Sequence, residues 1–217
     1  MVVYLSRQVA RSVSERVRKA LRYRERWGIC FAKSDWRHVV TGRGTRVETP
    51  QGRFLADPFV VTRNGRACVF AEEFVFESSK GHIAAFELSD GGARPLGIAL
   101  EESFHLSFPY LFEFNGTLFM CPETRATKDI RIYECTEFPL SWKLAGIAMN
   151  NVVAADTLIF PKHGLWWLLT GISWTEPHDC SELHLFWART PLEGKWVPHA
   201  HPHRPADVAQ RRPVAGR

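Results

Sequence analysis

The sequence predicts an all-β fold of the β-propeller type, and three observations carry that expectation. A motif recurs about every 50 residues, a residue-plus-Gly turn sits at a fixed place in each copy, and a further β-rich run follows each hairpin. The copies read ADPFVVTRNGRACVF at 56–70, SFPYLFEFNGTLFMC at 107–121 and ADTLIFPKHGLWWLL at 155–169. Pro58, Pro109 and Thr157 each stand seven residues before Gly65, Gly116 and Gly164.

Within each copy the turn fixes the hairpin. Asn64 with Gly65 and Asn115 with Gly116 suit a type I′ turn, which needs positive φ at both central residues. His163 with Gly164 is a weaker form of the same signal, because His enters that region less readily than Asn. Counting outward from two-residue turns places Asp57 opposite Glu72, Phe108 opposite Glu123 and Asp156 opposite Gly171. The third run of each copy is GHIAAFEL at 81–88, DIRIYEC at 129–135 and ELHLFWA at 182–188. Two copies close with FPLSW at 138–142 and TPLEGKW at 190–196, as an outer fourth strand would. Such a unit cannot bury both its faces alone, so neighbouring units must stack.

Composition fits one sizeable core: 217 residues, 45% hydrophobic and 12% aromatic. No apolar run is long enough to span a bilayer, and the N-terminus lacks the pattern of a secretory signal, so the expected location is cytoplasmic. The formal charge of +5 is concentrated in residues 1–26, where Arg7, Arg11, Arg16, Arg18, Lys19, Arg22, Arg24 and Arg26 oppose Glu15 and Glu25. The remainder, residues 27–217, is near neutral and reads as the propeller domain, which argues against a nucleic-acid partner. Leu5, Val9, Val13, Val17 and Leu21 recur at steps of four, so 1–26 reads as a basic amphipathic helix. It suits either a weak contact with an anionic membrane or a protein, or packing on the domain.

The five cysteines form no CxxC pair; Cys68, Cys121 and Cys135 sit inside strand patterns as small apolar residues, and neither Cys30 nor Cys180 suggests a disulfide framework. The histidines of HAHPH at 199–203 alternate but flank prolines, and no metal or other cofactor is expected. Arg212 and Pro213 take the place of Asp57 and Pro58 in what reads as the start of a fourth copy, so a blade is expected to be incomplete at the C-terminus.

The series ADPF, FAEEF, KGHIAAFEL, HLSFPYLFEFNG, MCPET, FPLSW, ADTLIF, WWLL and RPVAGR resembles the N-terminal domain of glucosamine inositolphosphorylceramide transferase and its bacterial relatives over residues 27–217. The resemblance implies a five-bladed propeller of the type shared by arabinanases, xylosidases and fructosidases. In the plant enzymes transferase chemistry belongs to a separate C-terminal domain, and no segment here resembles it. Asp57 resembles the general base of the arabinanase-type hydrolases, and Asp156 their charge-modulating Asp, with Thr157 replacing the usual Pro. Their general acid is a Glu whose equivalent here is Arg212.

Glycoside hydrolysis needs one carboxyl group to protonate the leaving oxygen and another to activate water. Glu123 can serve as the acid if desolvated by Phe108, and Glu72 beside Asp57 forms a like-charge pair that raises one of their pKa values. Glu73 must face away from Glu72, since adjacent strand residues point to opposite faces. Acids at blade tips also bond backbone amides of neighbouring blades, which is a purely structural role. His105 suits either a sugar contact or a lining position. Among the eight Trp residues, Trp142, Trp196 and one of Trp166 and Trp167 suit the core, while Trp174 suits a sugar platform.

The sequence thus predicts a carbohydrate-binding or carbohydrate-processing propeller whose axial mouth is lined by Asp57, Glu72, His105, Phe108, Glu123, Asp156 and Trp174, with a glycan or glycoconjugate as partner. The alternatives are an inverting glycosidase with Asp57 as base and Glu123 as acid, and a non-catalytic scaffold whose carboxylates tie blades together.

Overall fold

In a computed structural model of the chain, residues 26–34, 44–173, 182–192 and 195–199 are described. The leader expected over 1–26, apart from Arg26, lies outside them, as do Trp174, Cys180 and the Arg212–Pro213 motif.

The described residues form a small two-stranded sheet, β1 (Cys30–Phe31) with β2 (Thr45–Arg46), and three four-stranded antiparallel sheets. Sheet I runs β3 (Arg53–Arg63), β4 (Arg66–Val75), β5 (Lys80–Ser89) and β6 (Gly92–Leu100). Sheet II runs β7 (Ser107–Phe114), β8 (Thr117–Glu123), β9 (Asp129–Glu137) and β10 (Ser141–Asn150). Sheet III runs β11 (Val153–Lys162), β12 (Leu165–Ser173), β13 (Glu182–Ala188) and β14 (Val197–Pro198). Each is an up-and-down meander in chain order, the unit that the 50-residue period demands.

All three Gly turns take the expected form. Asn64 and Gly65 have φ of 52° and 73°, Asn115 and Gly116 50° and 75°, and His163 and Gly164 52° and 75°. The flanking pairs Arg63 with Arg66, Phe114 with Thr117 and Lys162 with Leu165 confirm two-residue loops in each hairpin.

Alternation along the strands divides the apolar residues between two faces. On β4, Cys68 and Phe70 pack with Ile83, Leu106, Met120 and Tyr133 between sheets I and II, whereas Val69 and Ala71 pack with Ile29 and Val47 on the other side. On β8, Met120 turns toward sheet I, and Phe119 and Cys121 turn toward Ile159, Leu168 and Ile172 of sheet III. The middle sheet is therefore buried on both faces, and stacking of consecutive meanders is what makes the core. Burial at this scale contributes roughly 25 cal/mol per Å² of apolar surface removed from water.

The expected core positions are filled accordingly. Cys68 and Cys121 are buried free thiols, and burial pushes the Cys121 thiol up to about 12. Trp142 packs edge-on against Phe70 and donates its indole N–H to the Pro139 carbonyl, at 2.8 Å. Trp166 packs against Phe112 and Phe114 in the core between sheets II and III, and Trp196 joins the same cluster. Among the described residues no helix is long and apolar enough to cross a membrane, and no group of three His, Cys, Asp or Glu side chains is arranged to hold a metal ion.

Candidate functional site

The inner strand of every four-stranded sheet carries the same irregularity at the same place. In β3 the ladder jumps from Ala56 opposite Glu72 to Phe59 opposite Phe70; in β7 from Ser107 opposite Glu123 to Tyr110 opposite Cys121; in β11 from Ala155 opposite Gly171 to Leu158 opposite Leu169. Two residues on the inner strand thus face one on its partner, which is a β-bulge. This corrects the register expected from counting: Glu72, Glu123 and Gly171 face Ala56, Ser107 and Ala155, one residue before Asp57, Phe108 and Asp156. Pro58 and Pro109 carry no N–H, so an unbroken ladder through them would forfeit a hydrogen bond, and the bulge accommodates them.

The first bulged residue of each sheet is left-handed: Asp57 at φ 49°, Phe108 at 46° and Asp156 at 53°. Asp tolerates that region; a bulky aromatic residue there is strained. The surroundings of Phe108 hold it: its ring packs edge-on against Phe59 of sheet I, with centroids 5.0 Å apart. In sheet III the residue replacing Pro is Thr157, whose buried hydroxyl pairs with that of Thr170 at 2.8 Å.

The bulges also link one sheet to the next. The Phe108 N–H donates to Asp57 Oδ2 at 3.3 Å, so a carboxylate of sheet I receives the bulge amide of sheet II. Phe108 has no carboxylate with which to repeat this, and Glu123 from the adjacent strand does so instead, accepting the Asp156 N–H at 3.4 Å. Each such bond contributes about 1 kcal/mol net. These contacts are the tie that the scaffold reading expects, and they also fix the carboxylates in place.

Asp57 and Glu123 each interact electrostatically with Asp156, and Glu72 with Asp57 and Glu123. Burial raises the Asp57 carboxyl above its ordinary value, and Asp156 adds to the rise while the Phe108 amide opposes it. Glu123 is raised by burial and by Asp156, against the Asp156 amide and Arg125. Glu72 is pushed up to about 7, by burial first and then by Asp57 and Glu123. Three of these acids therefore favour holding a proton, and Glu72 does so near neutral pH.

His105 and Gly81 complete the first corner. His105 Nδ1 accepts the Gly81 N–H at 2.8 Å, which leaves the proton of the neutral ring on Nε2, 3.6 Å from Glu72 Oε1. Burial holds the imidazole below its ordinary pKa and pushes the Glu72 carboxyl up, so both groups lean toward their neutral forms. Gly81 is required by space. A Cβ there would lie 2.6 Å from the Leu106 carbonyl oxygen, 2.9 Å from His105 Cε1 and 3.0 Å from Glu72 Oε1.

A cleft of about 600 Å³ opens beside this corner, between residues 27–30 and β3, and Asp57, Pro58 and Glu72 line it together with Trp27, Cys30 and Phe54. The structure thus brings together six of the seven expected site residues, Asp57, Glu72, His105, Phe108, Glu123 and Asp156. Trp27, Phe54 and Gly81 were not legible as site residues. Trp27 precedes the first repeat, and the role of Gly81 depends on a loop 24 residues further along the chain.

Comparison with known proteins adds the following. The family model described as glucosamine inositolphosphorylceramide transferase 1, N-terminal, matches residues 36–212. The chain is 35% identical over 152 residues to glucosamine inositolphosphorylceramide transferase 1 of Arabidopsis thaliana, covering 67% of this chain and 19% of that protein. It is 33% identical over 150 residues to the protein of that name in Oryza sativa subsp. japonica, covering 67% and 20%. The chain spans about a fifth of the length of these relatives. Among solved structures it is similar to the exo-β-1,3-galactanase of Phanerochaete chrysosporium with β-1,3-galactotriose, at TM-score 0.55 and 13% identity over 68% of this chain and 36% of that one. It is equally similar to the α-L-arabinanase of Penicillium chrysogenum complexed with arabinobiose, at TM-score 0.55 and 12% identity over 71% and 53%. At these identities the likeness is one of fold: an all-β chain built as in propeller glycosidases.

Proposed function

Because this chain belongs to the family of the N-terminal region of glucosamine inositolphosphorylceramide transferase 1, and shares its fold with glycosidases, we propose that it recognises a glycan or glycoconjugate at the mouth formed by the three bulged corners. The observation that supports this reading best is the convergence of Asp57, Glu72, Glu123 and Asp156 from three sheets, held by inter-sheet amide bonds and a left-handed backbone. Carboxyl groups that accept or donate hydrogen bonds in a half-dry cleft suit sugar hydroxyls. On this reading the domain is a five-bladed propeller, with the leader of residues 1–26 as a weak contact to an anionic membrane or a protein. The transfer activity in the relatives' name is not extended to these residues.

A second reading is favoured by the carboxyl of Glu72, which burial, then Asp57 and Glu123, push up to about 7. An inverting glycosidase needs such an acid to protonate the leaving oxygen, while Asp57 takes a proton from the attacking water. Glu123 is the alternative acid, although it already receives the Asp156 amide.

A glycan array probed with the full chain and with Asp57→Asn, together with a panel of aryl glycosides, tests both readings. Recognition predicts array signals lost in Asp57→Asn without a change in melting temperature; hydrolysis predicts release of the aryl group as well. An identical array profile for the two proteins would remove the axial site from consideration.

A further inference from the structure

The cleft beside the first corner has two aromatic residues and an acid, Glu72, that takes no part in the inter-sheet ties. Trp27 is 64% exposed, and Phe54 stands on the β3 side. The backbone around Trp27 is nevertheless pinned. The Arg26 guanidinium donates to the carbonyls of Pro50 and Arg53, each at 3.4 Å, and the Val47 N–H donates to the Ile29 carbonyl at 3.0 Å. An exposed indole on a segment anchored at its flanks offers a flat apolar face to a ligand.

Glu72 supplies the second, independent observation. Its side chain lines the same cleft and only 6% of the residue is exposed, yet among the described residues it makes no hydrogen bond. His105 Nε2 stands 3.6 Å from Glu72 Oε1. A carboxyl that lines a cleft and has no close protein partner is available to a ligand hydroxyl. Among the described residues no Lys, Arg or His lines the cleft, whereas Asp57 and Glu72 do. An anionic ligand would meet carboxyl groups with no compensating cation there.

We propose that the cleft between residues 27–30 and β3 is a subsite for one pyranose ring that bears no anionic group, with the Trp27 indole against the apolar C–H face of the sugar and the Glu72 carboxyl on a ring hydroxyl. The assignment rests on the glycan-recognition reading above and deepens it. It places the sugar beside the first corner, in the cleft that Trp27 and Glu72 both line. A volume of about 600 Å³ lies within the range of small-molecule sites.

Saturation-transfer NMR with the full chain tests this, using methyl β-galactopyranoside, methyl β-glucosaminide and the methyl glycoside of galacturonic acid as probes. The first two are expected to bind, with saturation strongest on one face of ring C–H protons, and the galacturonide is expected to give no signal. Trp27→Ala should weaken binding at least tenfold, Trp27→Phe should retain it within about threefold, and both should melt as the wild type does. If the neutral and amino sugars bind and Asp57→Asn abolishes binding while Trp27→Ala does not, the subsite is wrong and the recognition reading survives. Binding of the galacturonide as tightly as the others also overturns the proposal. If none of the probes binds and the glycan array is also blank, both readings fall together.

Discussion

β4 presents Glu72 to one face of sheet I and Glu73 to the other, and each is 6% exposed. Glu73 bonds His82 Nε2 at 2.8 Å and Arg53 at 3.1 Å, and these partners, His82 first, hold its carboxyl below the usual range. Glu72 has no such bonds and faces two further acids, and its carboxyl is pushed up to about 7. Equal burial with opposite consequences teaches that partners rather than depth separate a carboxylate that holds the fold from one that waits for a ligand. The first tolerates being ionic because its charge is met, and the second avoids ionising.

The largest effect should come from the satisfied face. Glu73→Gln is expected to lower stability by about 3 kcal/mol at pH 7 in urea denaturation, because His82 and Arg53 lose a buried anion. The sign follows from a depressed pKa: the stabilisation is present above the ordinary Glu value and is lost as pH falls through the lower folded one, so the difference from wild type should shrink in acid. If Glu73→Gln costs nothing at pH 7, the contrast between the two faces fails.

Gly81→Ala should cost about 2 kcal/mol and disturb the site together with the fold, since the new Cβ collides with the Leu106 carbonyl and with the His105–Glu72 contact. An unchanged melting temperature would show that the loop carrying His105 gives way easily. Glu72→Gln should have the opposite sign to Glu73→Gln. Between the ordinary Glu value and about 7 the folded chain binds more protons than the unfolded one, so wild-type stability falls as pH rises through that window. The Gln variant escapes that fall and is expected to gain on the order of 2 kcal/mol at pH 8 and nothing at pH 4. Equal pH profiles for the two proteins would place Glu72 in an ordinary environment.

The smallest stability effect should belong to Asp57→Asn. Asn tolerates the left-handed backbone, and its carbonyl oxygen can still accept the Phe108 amide, so a change under about 0.5 kcal/mol is expected alongside loss of glycan binding. A large drop in melting temperature with binding intact would favour the scaffold reading.

The fold was legible because its signals are local. Two-residue Gly turns, alternating faces and a 50-residue period each follow from backbone geometry within a few residues, and even the weak His163 turn obeyed them. The equivalence of Asp57, Phe108 and Asp156 followed from the same spacing. What counting missed was the bulge, which inserts its extra residue without a glycine to mark it. Pro58 and Pro109, unable to donate to a ladder, were the available signal, and sheet III keeps the bulge with Thr157 in that place. The meeting of Gly81, His105 and Glu72, and the approach of Trp27 to β3, are contacts between distant segments and leave no periodic trace. Trp174, the expected sugar platform, lies outside the described residues.

Carbon-detected NMR of the Glu72 side-chain carboxyl, followed from pH 4 to 9 with and without a bound sugar, addresses the account most directly. The account predicts a midpoint near 7 in the free chain, a lower midpoint in Asp57→Asn, and a distinct shift when a neutral sugar occupies the cleft. A midpoint at the ordinary glutamate value, unmoved by Asp57→Asn or by sugar, would contradict both the convergence of the acids and the site built upon it.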